Sequence, residues 1–225
     1  MNVLATRQVD MVSGLLAEYA IGALSRPVSV AVEAHLELTG KSDRWIRTLD
    51  QVGDALRDDD IEYGRGLSSI EPVAFDDADA ALSDIFASID GAENGAASIE
   101  AHRSVSIEMF IGMSVADVPW KRVMPGIAEH RLPDVDGAEV SLLRIDGGKS
   151  VPVHTHHGSE ITVVLQGGFS DGTGHYGVGD IAYADDAVNH RPVADEGEVC
   201  ICFAVVDAPV ELTGPFGRFV NGLRR

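Results

Sequence analysis

The sequence predicts an α+β protein in two parts: an N-terminal bundle of about four helices over residues 1–90, then an antiparallel β-barrel or jelly roll over residues 105–225. Three observations carry this expectation. Apolar residues recur at helical spacing between Leu15 and Ile89. After Val105 they alternate, or run in short β-branched stretches bounded by turns. Between the two regimes, Asp90-Gly91-Ala92-Glu93-Asn94-Gly95-Ala96-Ala97-Ser98 lacks large apolar groups, and residues 91–104 read as a linker.

Ser13 is placed to cap a first helix whose apolar positions are Leu15, Leu16, Tyr19, Ala20 and Leu24. Ser25-Arg26-Pro27 stops that helix and starts a second, with Pro27 in its first turn. The second helix carries Val28, Ala31, Val32, His35, Leu36 and Leu38, and Gly40 ends it. Ser42 caps a third, which buries Trp45, Ile46, Leu49, Val52 and Leu56. After the loop at Arg57-Asp58-Asp59-Asp60, a fourth helix is expected from Asp77 to Ile89. In the C-terminal half, Val105, Ile107, Met109 and Ile111 alternate as in a strand. Further strands are expected at Trp120–Val123, Ala138–Ile145, Ile161–Leu165, Ile181–Tyr183 and Cys200–Val206. Turns at Asp136-Gly137, Asp146-Gly147-Gly148 and Tyr176–Asp180 separate them.

The stretch Gly148–Gly167, GKSVPVHTHHGSEITVVLQG, carries the chemistry. Residues at i and i+2 of a strand share a face, so His154 and His156 can aim both imidazoles at one point. A bend at His157-Gly158-Ser159 returns Glu160 toward them on the next strand, and His190 arrives from a second segment. Three imidazoles and one carboxylate suit a borderline divalent cation such as zinc, iron, manganese or nickel. His157 has the opposite parity to the ligands, and His175 lies in a turn without a partner pattern; both are expected outside the ligand set. From Gly148 to Gly167 the spacing fits the cupin pattern G-x5-H-x-H-x3-E-x6-G. The second cupin pattern is looser, with Gly177-Val178-Gly179 in place of Pro-x-Gly.

Of 225 residues, 36 are acidic and 17 basic, a net charge of −19 spread over both halves. Such a surface repels nucleic acid and anionic membrane and attracts a basic protein partner. No apolar run is long enough to span a membrane, and MNVLATRQVD contains no h-region, so a cytoplasmic location is expected. Cys200 and Cys202 share a strand face at a spacing too wide for a disulfide, which points to free thiols facing the barrel interior.

The order of parts, helices then linker then a single cupin, resembles the ChrR family of cupin-type anti-sigma factors. Leu15–Leu24 and Ala34–Leu38 resemble that family's first two helices. His154-x-His156-x3-Glu160, Leu165-Gln166-Gly167, His190 and Cys200-Ile201-Cys202 sit at its spacing. The resemblance implies that the helices bind an extracytoplasmic-function (ECF) sigma factor. It also implies that the cupin binds Zn2+ and serves the response to oxidative signals, singlet oxygen above all. One departure stands out. The family's N-terminal zinc site pairs a helix-two His with two cysteines and an upstream His. Here His35 remains, while Thr39, Ser42 and Asp10 occupy the other positions. Hydroxyls are poor zinc ligands, so no zinc is expected in the helical domain. The alternative reading is a cupin metalloenzyme, dioxygenase-like, with iron or manganese (Fe2+, Mn2+; Ni2+ as a further candidate) and His157 or Tyr183 as the acid or base. The sequence leaves a homodimer through the barrel open.

Overall fold

The computed structural model describes residues 3–40, 104–208 and 210–213. The third and fourth helices expected at Ser42–Leu56 and Asp77–Ile89, the Arg57–Asp60 loop and all of the linker but Ser104 lie outside the described residues. The described residues fall in one compact unit.

Helix α1 spans Val3–Ala20, longer than expected at its start. Ser13 lies inside it, so the cap assigned to Ser13 is corrected: residues upstream continue the helix. Its end is also earlier than Leu24. Gly22 takes φ 68°, its amide bonds the Tyr19 carbonyl, and the Ala23 amide bonds that of Glu18. This left-handed exit, which glycine adopts without a Cβ penalty, closes the helix and leaves Leu24 beyond it. Helix α2 spans Arg26–Thr39 and matches the sequence reading, with Pro27 in the first turn and Gly40 left-handed at its end.

Val105–Ile111 is a helix, α3, and not the strand its alternation suggested. The Ser104 hydroxyl accepts from the Ile107 amide, and Gly112 ends the helix at φ 74°. The misreading has a geometric cause. Over seven residues, steps of two also alternate between opposite sides of a helix, so Ile107 and Ile111 share one face and Val105 and Met109 another. Ile107 and Ile111 are buried; Met109 is 76% exposed. The Glu37 carboxylate of α2 accepts from the Ser104 and Ser106 hydroxyls at 2.7 and 2.6 Å, tying α2 to the start of α3.

Among the described residues, a 3-10 turn at Val115–Asp117 leads into eleven strands: β1 Lys121–Met124, β2 Ile127–Arg131, β3 Glu139–Ile145, β4 His154–His156, β5 Glu160–Gln166, β6 Phe169–Ser170, β7 His175–Tyr176, β8 Ile181–Ala184, β9 Val193–Ala194, β10 Cys200–Val206 and β11 Val210–Leu212. All pair antiparallel. They form a six-stranded sheet ordered β1-β2-β3-β10-β5-β8, a three-stranded sheet β7-β6-β9 and a two-stranded sheet β11-β4. The expected barrel or jelly roll is therefore a cupin-like β-sandwich whose sheets do not close into one barrel. Isolated bridges pair Ser150 with Val193 of β9 and His190 with His154 of β4.

The central strands β5 and β10 of the six-stranded sheet are buried on both faces, which explains their near-continuous apolar runs, while the edge strand β1 is exposed. Ile161, Val163, Leu165, Ile201, Phe203 and Val205 point to the outer face and join Leu15, Leu16, Val30, Val32 and Ile107 of the helices. Ile145, Val164, Ala182, Cys200 and Cys202 point inward and meet Phe169, Tyr176 and Ala194 of the three-stranded sheet. Gly167 turns the chain out of β5 at φ 65°. A Cβ there would meet the Val199 carbonyl oxygen at 2.5 Å, so no other residue fits without moving the backbone. Among the described residues no helix is long and apolar enough to cross a membrane.

Candidate metal centre

Strand β4 is three residues long, and its parity sets the site. His154 and His156 turn inward, 5% and 0% exposed. Thr155 faces the other way and donates to the Val188 carbonyl at 3.0 Å. His190 is placed by backbone pairing: its amide donates to the His154 carbonyl at 3.0 Å, and the His154 amide donates to its carbonyl at 3.1 Å. Glu160 opens β5 on the inner face, opposite Val206 of β10. Thr162, two residues on and therefore on the same face, donates to Glu160 Oε1 at 2.7 Å.

The four side chains converge. His190 Nε2 lies 3.0 Å from His154 Nε2 and 3.2 Å from His156 Nε2. Glu160 Oε2 lies 3.1 Å from His156 Nε2 and 3.9 Å from His154 Nε2. Among the described residues they form the one group of His, Cys, Asp and Glu side chains placed to hold a metal. The quartet expected from spacing is thus brought together.

The donor chemistry fits a cation. His154 Nδ1 donates to the Pro152 carbonyl at 2.7 Å, and His190 Nδ1 donates to Asp171 Oδ2 at 2.8 Å. A neutral imidazole with its proton on Nδ1 presents a bare lone pair at Nε2. Two such lone pairs 3.0 Å apart repel unless something positive stands between them. Donors at about 2.0–2.1 Å from a tetrahedral zinc lie roughly 3.3 Å from one another, close to the spacings here. His156 Nδ1 is buried without a hydrogen-bond partner among the described residues, so this ring draws its stabilisation from the Nε2 side.

Electrostatics keep the carboxylate ionised. Burial alone would raise the Glu160 pKa, but attraction to His154 and His156 and the hydrogen bond from Thr162 outweigh it and hold the pKa at about 2. For His154, burial opposes the charged form, yet the nearby Glu160 carboxylate and the hydrogen bond to the Pro152 carbonyl win and the pKa is raised. For His156, burial dominates and, with repulsion from the other two rings, lowers the pKa below that of a free imidazole.

The remaining candidates separate cleanly from this quartet. His157 is exposed on the bend after β4. His175 is exposed and pairs with Asp195 at 2.9 Å. Tyr183 packs on the outer, helix-facing cluster, so it is not an acid or base for the interior. Cys200 and Cys202 are free thiols in the inner core with Sγ atoms 3.4 Å apart. Their mutual hydrogen bond, and then burial, push the Cys202 thiol well up, which keeps it protonated. Asp171, with a side chain only 2% exposed, was not singled out from the sequence. It sits in Ser170-Asp171-Gly172-Thr173-Gly174, which reads as an ordinary turn, and no spacing rule connects it to His190.

Residues 108–208 match the ChrR cupin-like domain. Over 210 residues the chain is 35% identical to the anti-sigma-E factor ChrR of Cereibacter sphaeroides, covering 92% of this chain and 93% of that protein. Among solved structures it is similar to the crystal structure of Rhodobacter sphaeroides SigE in complex with the anti-sigma ChrR. That match has 34% identity and a TM-score of 0.60, and covers 86% of this chain and 96% of the matched one. With a relationship of this depth running through both the helices and the β-sandwich, the chain belongs to the ChrR family of cupin-type anti-sigma factors.

Proposed function

We propose that this protein is an anti-sigma factor: its helical domain, residues 1–90, sequesters an ECF sigma factor in the cytoplasm, and its cupin domain, residues 105–225 beyond a linker at 91–104, holds a cation through which oxidative stress is sensed. The observation that carries this reading is the extent of the similarity. It spans 92% of the chain, helices included; the relative is an anti-sigma factor, and the similar solved structure is of an anti-sigma ChrR in complex with SigE. The acidic surface supports the same partner, because sigma factors present basic DNA-binding helices and a chain of net charge −19 complements them.

Zinc is the cation this reading assigns. Three imidazoles and a carboxylate complete a four-coordinate site without solvent, as a structural or sensing centre requires. The ligand side chains are 0–14% exposed, which supports holding over turnover. The inducing signals assigned are singlet oxygen and peroxide. Strand β5 offers a path from the centre to the helices. Glu160 faces the ligands, while Ile161, Val163 and Leu165 of the same strand lie in the outer cluster with Val30, Val32 and Leu36 of α2. A shift of Glu160 therefore reaches α2 through one strand's alternation.

The helical domain is read as zinc-free. His35 Nδ1 bonds the Gly179 carbonyl at 2.7 Å, and the Thr39 hydroxyl donates to the His35 carbonyl at 2.6 Å, so both groups serve packing.

Co-expression with the ECF sigma factor encoded beside it is expected to yield a co-purifying pair whose affinity falls as salt rises. Elution of this chain free of that sigma factor at low salt would contradict the reading.

A further inference from the structure

We propose that Asp171 is a positioning residue of the metal centre: it fixes the His190 tautomer so that Nε2 presents its lone pair to the cation. The inference rests on the metal-centre reading above and adds a residue outside the ligand set. Its basis is the division of labour between the two carboxylate oxygens. Oδ1 serves the local turn, accepting from the Thr173 amide at 2.7 Å, the Thr173 hydroxyl at 2.5 Å and the Gly174 amide at 3.2 Å. Oδ2 takes His190 Nδ1 at 2.8 Å. A turn needs only the first oxygen; the second is directed at a ligand.

The energetics run the same way. A carboxylate this buried is costly unless each oxygen is hydrogen-bonded. Asp171 meets that condition only if His190 carries its proton on Nδ1, since a bare ring nitrogen facing Oδ2 would set lone pair against lone pair. Nδ1–H leaves Nε2 bare, 3.0 and 3.2 Å from the Nε2 atoms of His154 and His156. The negative charge behind the ring also raises its basicity toward a cation. The three imidazoles are thus held unequally: His190 by a carboxylate, His154 by the Pro152 carbonyl, and His156 with no partner at Nδ1 among the described residues.

Asp171→Asn separates the two roles. The amide oxygen can keep the turn, while the NH2 group in place of Oδ2 faces Nδ1 as a donor. The ring then accepts at Nδ1 and carries its proton on Nε2, where it blocks the cation. Zinc affinity, read by competition with a chromophoric chelator, is expected to fall roughly 10- to 100-fold in this variant. Thr173→Ala removes only the hydroxyl's bonds to Oδ1 and to Tyr176 Oη, leaving the Thr173 and Gly174 amides on Oδ1 and Oδ2 on His190, and is expected to stay within about 3-fold of the parent by the same criterion. Nitrogen-15 NMR of His190 in the unmodified, zinc-loaded protein gives a readout that does not depend on a variant folding. It is expected to show a protonated Nδ1 and a metal-bound Nε2.

Equal zinc affinity in Asp171→Asn and the parent, an equal loss in Thr173→Ala and Asp171→Asn, or an unprotonated Nδ1 at His190 would each overturn the role given to Asp171. Failure of the parent itself to bind zinc would instead overturn the metal-centre reading, and the inference with it.

Discussion

Alanine at both His154 and His156 is expected to strip the cation from the protein. Structural zinc sites are worth about 10–16 kcal/mol over four ligands, so losing two removes roughly 5–8 kcal/mol, or about 10^4- to 10^6-fold in affinity. Purified parent protein should carry about one cation per chain and the double variant a small fraction of that, measured by elemental analysis after dialysis. The variant should also be less stable than the metal-loaded parent, because ligand binding to the folded state alone adds directly to folding free energy. The chemistry behind this lies in β4. With both imidazoles on one face, removal of the pair leaves Glu160 and His190, a carboxylate and one ring, which cannot close a tetrahedral site. Metal content equal to that of the parent would show that the cation sits elsewhere in the chain.

Phe203→Ala is expected to cost about 3–5 kcal/mol, a large part of the roughly 5–15 kcal/mol available to a folded domain. Phe203 is fully buried on β10, between Leu142 of β3 and Val163 of β5, both themselves 0% exposed. Its ring meets Phe110 of α3 edge-on with centroids 5.8 Å apart. Truncation opens a cavity where the helical layer meets the sheet, and neighbours buried on both sides cannot collapse into it. Met109→Ala, on the exposed face of α3, is expected to stay within about 0.5 kcal/mol. Chemical denaturation of the two variants checks both values at once. A near-equal effect at the two positions would contradict the layered packing and the helical assignment of Val105–Ile111 together.

What the sequence revealed, and what it hid, follows from how far each signal reaches. The convergence of His154, His156, Glu160 and His190 was legible in part because parity on a three-residue strand and a fixed bend set where the first three point. The inward orientation of Cys200 and Cys202 followed from the same alternation on β10. The second helix was legible from Pro27 and Gly40, whose backbone preferences act locally. Val105–Ile111 was not, since a seven-residue alternation satisfies both periods and only the Ser104 and Gly112 caps decide between them. Ser13 misled for the opposite reason: a residue suited to capping is also tolerated inside a helix when the chain before it continues the turn. Asp171 stayed hidden because its partner lies 19 residues away, and only the folded sandwich joins them. Sheet closure, too, is set by how the small sheets meet the large one, which no local pattern encodes.

The most direct test of the metal centre is X-ray absorption at the metal edge of the native protein. Four nitrogen or oxygen donors at about 2.0–2.2 Å, with the multiple-scattering signature of imidazole, are the expected shell for His154, His156, His190 and Glu160. Sulfur at about 2.3 Å, which would bring in Cys200 or Cys202, or a protein that carries no cation, would contradict the convergence of these four side chains on a single ion.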